Sequence, residues 1–370
     1  MKIIKEGIVF HKEDGPFRYN AWPTVCRDEK GVLYAGWSGE RVQHVCPFGK
    51  NLMSISTDGG ESWTCPMIIN DTWLDDRDVG LCSMGEGKLI MSSFHNRKSV
   101  YLDQLPRIER GTEEFSKAMT LAYVNEYNNM PEGTFYNHGS FTRVSLDGGK
   151  TWEKAYDAPA SSPHGPIYTK DGRLLWLGRS VEKFEANKGL DDILLIESRD
   201  MGKSWTVLSS IEKPDDMEFN GVGPDKILLC EPDILELNDG TLLGSIRVQG
   251  TETSDNYYTM YNAFSYDGGK TWTKLEKTNI CGSPPHLIQL FDGRVVCVFG
   301  RREAPFGIRA IVSEDCGKTW GEEMLLSEAP NKDLGYPSTV QLDDGTLVTV
   351  FYKLNPPANK TDIVYVKWSV

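Results

Sequence analysis

Ser265-Tyr266-Asp267-Gly268-Gly269-Lys270-Thr271-Trp272 is one of five copies of the phrase Ser-x-Asp-x-Gly-x-Ser/Thr-Trp in this chain. The other four start at Ser56, Ser145, Ser198 and Ser313 and end at Trp63, Trp152, Trp205 and Trp320. Each copy follows an apolar run, as Ile193-Leu194-Leu195-Ile196 precedes Ser198, and each leads into another strand-like stretch. Asp and Gly favour a tight turn, and an Asp carboxylate accepts hydrogen bonds from nearby backbone N–H groups. The closing Trp offers an apolar body to lay beneath the loop. The phrase is a hairpin signature, and its aspartates have a structural job rather than a catalytic one.

A second repeat interleaves with the first. Lys30-Gly31, Glu86-Gly87, Asp171-Gly172, Asp239-Gly240, Asp292-Gly293 and Asp344-Gly345 each join two short apolar runs. Six such hairpins, five of them followed by the Ser-x-Asp hairpin, predict an all-β chain: a six-bladed β-propeller with four strands per blade. The sixth blade lacks the phrase because the termini complete it. Its third strand is expected at Asp362–Trp368 and its outer strand at Gly7–His11, a sharing that closes the ring and removes a sheet edge.

The chain has 370 residues, which this array absorbs as a single domain over residues 1–370. An insertion in blade two, residues 97–137, breaks the rhythm. Its segment Glu113–Ala122 has helical composition with Phe115, Met119 and Ala122 on one face, suited to a rim over the funnel or a subunit contact. The polar stretch Ser210–Asp225 reads as a loop crossing to blade four. A net charge of −13 argues against nucleic acid or an anionic membrane as partner. No segment has the length and apolarity of a membrane span. Met1–Gly7 has no apolar core of a secretory leader, and the eight cysteines show no paired spacing, which together point to a cytoplasmic protein. The six histidines are scattered and the Gly-Gly pairs all belong to the hairpin phrase, so no metal motif or phosphate loop is present and no cofactor is expected.

In such a ring the innermost strand of each blade lines the central channel, and its first residues face the funnel. Those starts are Ala21-Trp22-Pro23, Asp75-Asp76-Arg77-Asp78, His164-Gly165-Pro166, Glu231-Pro232-Asp233, Pro285-His286 and Gly335-Tyr336-Pro337. The second strands return to the same face with Glu40 and Arg41, Phe94-His95, Arg179, Arg247, Arg301-Arg302 and Tyr352. Ionisable residues crowd these positions while the strand interiors are Leu, Val and Ile. A purely structural core has no need of that pattern, and it predicts a catalytic or anion-binding pocket.

The hairpin phrase resembles the Asp-box of the sialidase (neuraminidase) superfamily, and the likeness extends to two funnel segments. Cys230-Glu231-Pro232-Asp233 through Ser245-Ile246-Arg247 is similar to the sialidase stretch with a buried glutamate and one arginine of a carboxylate-binding triad. Leu334-Gly335-Tyr336-Pro337 through Leu342 is similar to the segment carrying a nucleophilic tyrosine. The resemblance implies Tyr336 as nucleophile, Glu231 as its base, Arg247 as one clamp and Arg301, Arg302 or Arg309 as another. A phenol titrates near ~10, so it needs a carboxylate alongside to take its proton. Arg41, Arg77, Arg179, His164 and His286 complete the expected substrate-binding set.

Two departures stand out against the family pattern. Asn20-Ala21-Trp22-Pro23 has Ala21 where the family's first triad arginine belongs, with Arg18 two or three positions early. The loop 40–50 contains no Asp, so the acid/base role falls to Glu40, His44 or, from the neighbouring blade, Asp76. Weak or no cleavage of ordinary sialosides follows from the first departure. The leading expectation is a retaining exo-glycosidase for a terminal, acidic sugar. A uronic-acid lyase using Tyr336 or His164 to remove a C5 proton, and a non-catalytic sugar-binding propeller, are the alternatives.

Overall fold

The turns that the sequence marks as hairpins are closed by the bonds their residue types allow. At the inner hairpin of blade four, Leu237 and Thr241 pair (2.8 Å) and the Gly240 N–H reaches the Leu237 carbonyl at 3.0 Å. Asp239 accepts from the Thr241 N–H at 2.9 Å. The same pattern recurs at Leu290–Arg294 and Leu342–Thr346. These turns organise a computed structural model that describes residues 2–95, 139–181, 193–219, 221–250, 258–356 and 360–370, with isolated positions between 118 and 129.

The described strands form six antiparallel sheets arranged as a six-bladed β-propeller. Blade one is Tyr19–Arg27, Leu33–Arg41, Lys50–Ser56 and Met67–Asn70, from the axis outward. Blades two, four and five repeat this order, with innermost strands Asp76–Ser83, Ile227–Glu236 and Pro285–Gln289. In blade three the innermost strand is split into Ala160–Ser161 and Ile167–Tyr168, on either side of His164-Gly165-Pro166. Blade six runs Leu334–Gln341, Leu347–Leu354, Thr361–Ser369 and then Lys2–Phe10 from the other end of the chain. The predicted closure is therefore present. The N-terminal strand starts earlier than the expected Gly7–His11 because it is held by backbone pairing rather than burial. Ile3 and Ile4 are exposed, so no alternating apolar pattern announced them.

Each Asp-box is a small hydrogen-bonded knot. Asp267 takes the Thr271 N–H at 2.9 Å and the Thr271 hydroxyl at 2.7 Å, while Ser265 Oγ donates to it and accepts the Gly269 N–H, both at 2.9 Å. The Thr271 hydroxyl and N–H hold the Asp267 carboxyl down at about 2, and Asp58 and Asp147 behave alike. The boxes also lock neighbouring blades. The Trp272 indole donates to Ser209 of blade three at 3.0 Å, and the Trp205 indole to Thr142 of blade two at 3.2 Å. Between the blades lie apolar layers, such as Leu175, Leu177 and Leu195 of blade three against Leu229, Ile246 and Val248 of blade four, all fully buried. Each such side chain contributes roughly 1.5–3 kcal/mol. The insertion 97–137 lies outside the described residues apart from scattered helical positions between 118 and 129.

Candidate active site

The site is built from a backbone irregularity shared by four blades. The innermost strands of blades one, two, four and six break register with the next strand between Ala21 and Thr24, Arg77 and Gly80, Cys230 and Asp233, and Gly335 and Ser338. In each gap one residue adopts left-handed backbone: Trp22 (φ 55°), Asp78 (36°), Glu231 (43°) and Tyr336 (50°). That conformation costs a non-glycine residue about 1–2 kcal/mol, and strain of this kind gathers at functional sites. The bulge takes the side chain out of strand alternation and turns it toward the other blades.

Tyr336 and Glu231 meet as a result, although blade five separates their sheets: the Tyr336 hydroxyl donates to Glu231 Oε1 at 2.6 Å. Arg247 bonds the second carboxylate oxygen, reaches Gln249 through its other Nη and lies over the Tyr258 ring at 4.3 Å. Burial opposes ionisation of Glu231, but Arg247, the Tyr336 hydroxyl and Arg302 outweigh it and hold the carboxyl below its ordinary range. Burial, Glu231 and Asp78 push the Tyr336 phenol far above its ordinary value. The resting pair is thus a neutral phenol hydrogen-bonded to a carboxylate. Arg302 sits 5.5 Å from the Tyr336 ring, with its buried Nε and Nη2 without hydrogen-bond partners among the described residues.

Beside this pair opens a cavity of about 240 Å³, lined by Glu231 with His44, Arg77, Asp78, Phe94, Pro163 and Arg179 among others. Drug-sized pockets span roughly 300–1,000 Å³, so this one suits a single sugar unit. Arg77 packs 4.1 Å from the Trp22 ring centre and bonds the His44 carbonyl (3.0 Å) and Asp75 (3.3 Å). The Tyr19 hydroxyl donates to Asp333 at 2.9 Å and lies 3.1 Å from His44 Nδ1. With its proton on Asp333, Tyr19 accepts from His44, which makes Nδ1 the protonated nitrogen of that ring. Asp78 faces the cavity with no hydrogen bond or ion pair among the described residues, and burial raises its carboxyl to about 7.

Tyr336, Glu231, Arg247, Arg302, Arg77, Arg179 and His44 therefore gather at one end of the channel, and other expected residues lie elsewhere. Asp76 is fully buried and accepts from the Thr72 N–H and hydroxyl and from His95, which keeps it out of the cavity. Arg41 is enclosed in the wall, paired with Asp75 with neither side chain exposed. Glu40 is held by Lys12 at 2.7 Å. Arg301 turns to Glu323, and Arg309 sits near the same glutamate. His164 and His286 stack edge-on at 5.0 Å and line a second cavity further down the axis with Asp233. Burial drives His164 down to about 3 and His286 well below its ordinary value, so both stay neutral.

Sequence reasoning counted Trp22 and Asp78 among the funnel-facing strand starts but gave neither a role, and it missed the Tyr19–Asp333 support of His44. A signal existed for the bulges: Trp22-Pro23, Glu231-Pro232 and Tyr336-Pro337 each place the strained residue before proline. Blade two has Val79 in that place, and the cue that would have singled out Asp78 over Asp76 is missing.

Residues 111–349 match the model of the BNR repeat-like domain, well over half of the chain. The chain belongs to that family. It is a divergent member of the sialidase superfamily. A "Sialidase" from Bacteroides fragilis (strain YCH46) is 26% identical over 208 residues, 48% of this chain and 36% of that protein; the match thus spans about a third of the relative's length. Among solved structures, a Dyadobacter fermentans DSM 18053 protein of unknown function superposes with a TM-score of 0.76 at 22% identity, covering 99% of this chain and 98% of that one. The NanB sialidase of Streptococcus pneumoniae gives 0.64 at 14% identity over 98% and 70%. The α-L-arabinofuranosidase Arb93A of Fusarium graminearum gives 0.62 at 12% identity over 100% and 98%. At these identities the structural matches speak for the fold, and the fold houses more than one named activity.

Proposed function

We propose that this BNR-repeat propeller is a retaining exo-glycosidase that removes a terminal, acidic sugar, with Tyr336 as nucleophile and Glu231 as its base. The observation that carries this reading is the 2.6 Å hydrogen bond from the Tyr336 hydroxyl to a Glu231 carboxylate held in a cavity of sugar size. The phenol keeps its proton at rest, so the proton passes to Glu231 only as Oη closes on the anomeric carbon. Arg247 on the far carboxylate oxygen keeps Glu231 ionised and ready to accept. A neutral nucleophile suits a sugar that carries a carboxylate, because no charge repulsion opposes its approach. Arg302, beside the Tyr336 ring with two buried nitrogens that have no hydrogen-bond partner among the described residues, and Arg77 on the cavity wall are the guanidinium groups we assign to that carboxylate. The sialidase relative and the glycosidases sharing the fold support a glycoside-hydrolase-like function.

Ala21 stands immediately before Trp22-Pro23, where the family pattern has an arginine, and ordinary sialosides are expected to be poor substrates. A lyase reading loses support from the position of His164, which lies in the other cavity. The test is turnover of a panel of aryl glycosides of acidic and neutral sugars, with the anomer first released followed by proton NMR. Retention of configuration is expected, with Tyr336→Phe and Glu231→Gln each losing about 10³-fold or more while binding persists. Full activity in Tyr336→Phe, or a product absorbing as an unsaturated uronate, would overturn the reading.

A further inference from the structure

We propose that Asp78 is the acid/base of this site, handing a proton to the departing oxygen and later taking one from water; this rests on the glycosidase reading above. Asp78 occupies on blade two the same left-handed bulge that holds Glu231 on blade four and Tyr336 on blade six. Three alternate blades thus each turn one functional side chain off their innermost strand. Asp78 lines the cavity that Glu231 also lines. Unlike Asp75 and Asp76 on the same segment, it spends no oxygen on a structural bond among the described residues. A carboxyl held in a strained backbone, enclosed and left without a partner is unexplained by stability alone.

Its surroundings suit a group that must carry a proton and then lose it. Burial dominates and raises the carboxyl to about 7, with Glu231 and Asp75 pushing the same way and Arg77 and Arg41 opposing. His44 and Arg179 face the same cavity from blades one and three, and Asp78 in turn raises Tyr336 of blade six. The two carboxylates near the phenol are consequently split: Glu231 is ionised and Asp78 is poised near neutrality, the division that an acid and a base in one site require.

The steps balance. In the first, the Tyr336 Oη–anomeric carbon bond forms, the glycosidic C–O bond breaks, the phenolic proton goes to Glu231 and the Asp78 proton goes to the leaving oxygen. In the second, a water oxygen bonds the anomeric carbon, the Tyr336 C–O bond breaks, Glu231 returns its proton to the phenolate and Asp78 takes a proton from the water.

One arm of the test needs no substrate. Infrared difference spectra of the wild-type protein between pH 5 and pH 9 should contain a protonated-carboxyl band that disappears near pH 7, one part of which is absent in Asp78→Asn and another in Asp233→Asn. A wild-type band unaltered by Asp78→Asn would overturn the assignment. The other arm compares glycosides of one accepted sugar. Asp78→Asn should slow a methyl glycoside by about 10²–10⁴-fold and release of 2,4-dinitrophenol, which leaves without protonation, by about tenfold or less. Azide should restore its turnover and yield a glycosyl azide of retained configuration. Equal losses on both substrates with no azide effect would overturn the proposal. Tyr336→Phe distinguishes the two failures, because full activity in that variant sinks the parent reading whatever Asp78→Asn does.

Discussion

The sharpest contrasts in this molecule are between chemically identical side chains a few residues apart. Asp76 and Asp78 lie on one strand, yet the first is tied by Thr72 and His95 and the second is left to the cavity. Asp233, two residues beyond Glu231, is buried near the axis and raised to about 7, with backbone N–H bonds from Leu287 and Ile234 too weak to offset desolvation. The sign of its effect on stability follows. Below pH about 4 its carboxyl is protonated in both states. From there to about 7 the unfolded chain ionises while the folded one keeps the proton, so this contribution to stability is lost as pH rises. Asp233→Asn lacks the loss, and its stability relative to the wild type should climb between pH 4 and pH 7 by no more than about 4 kcal/mol. His164, depressed to about 3, pulls the other way in both proteins and cancels from the difference. Parallel denaturation profiles across that range would contradict the assignment of Asp233.

At the scale of elements, the Asp-box matters as much for packing between blades as for its own turn. A β-carbon on Gly202 would lie 2.3 Å from Ile90 of the preceding blade, and one on Gly317 would lie 2.4 Å from Leu243. Gly293, in an inner hairpin, has φ of 93° but nothing within 4 Å of such a carbon. Gly202→Ala and Gly293→Ala therefore share the left-handed backbone cost of about 1–2 kcal/mol, and only the first adds overpacking of about 1–3 kcal/mol. Urea denaturation should rank Gly202→Ala as clearly less stable; equal losses would mean that the box does not couple its blade to the one before. The elements were also where the sequence was most legible. Five boxes and six Gly turns sufficed to set out the blades, because turn chemistry is local and each residue type has a mechanism. The bulges were partly legible. Proline flagged those at Trp22, Glu231 and Tyr336, whereas Val79 hid the one at Asp78. His164 read as a funnel residue because position along a strand was counted without the split in blade three, and it lies in the second cavity instead, beside His286 of blade five.

The whole ring depends on a strand that sequence patterning scarcely marks. Lys2–Phe10 pairs along Thr361–Ser369, and Gly7 lies so close to Tyr365 that a β-carbon there would be 2.6 Å from its ring. Lys5 and Lys367 both reach Glu61 of blade one, at 2.6 and 2.5 Å, which ties the closing blade to its neighbour. Deleting residues 2–10 should expose the edge of Thr361–Ser369 and lower the melting temperature sharply, with aggregation through the opened edge; unchanged melting would show that the closure is dispensable. An intact ring is also what brings blades two, four and six to one point, so the truncated chain should lose the site along with its stability. The central claim is that this point is a covalent catalyst built on Tyr336, and the most direct measurement is peptide mass spectrometry after reaction with fluorinated glycosyl donors, 2,3-difluorosialic acid and 2-deoxy-2-fluoro uronosyl fluorides among them. A glycosyl adduct on the Tyr336 peptide that is absent from Tyr336→Phe is the predicted result; an adduct on any other residue, or a first product of inverted configuration, would contradict the account.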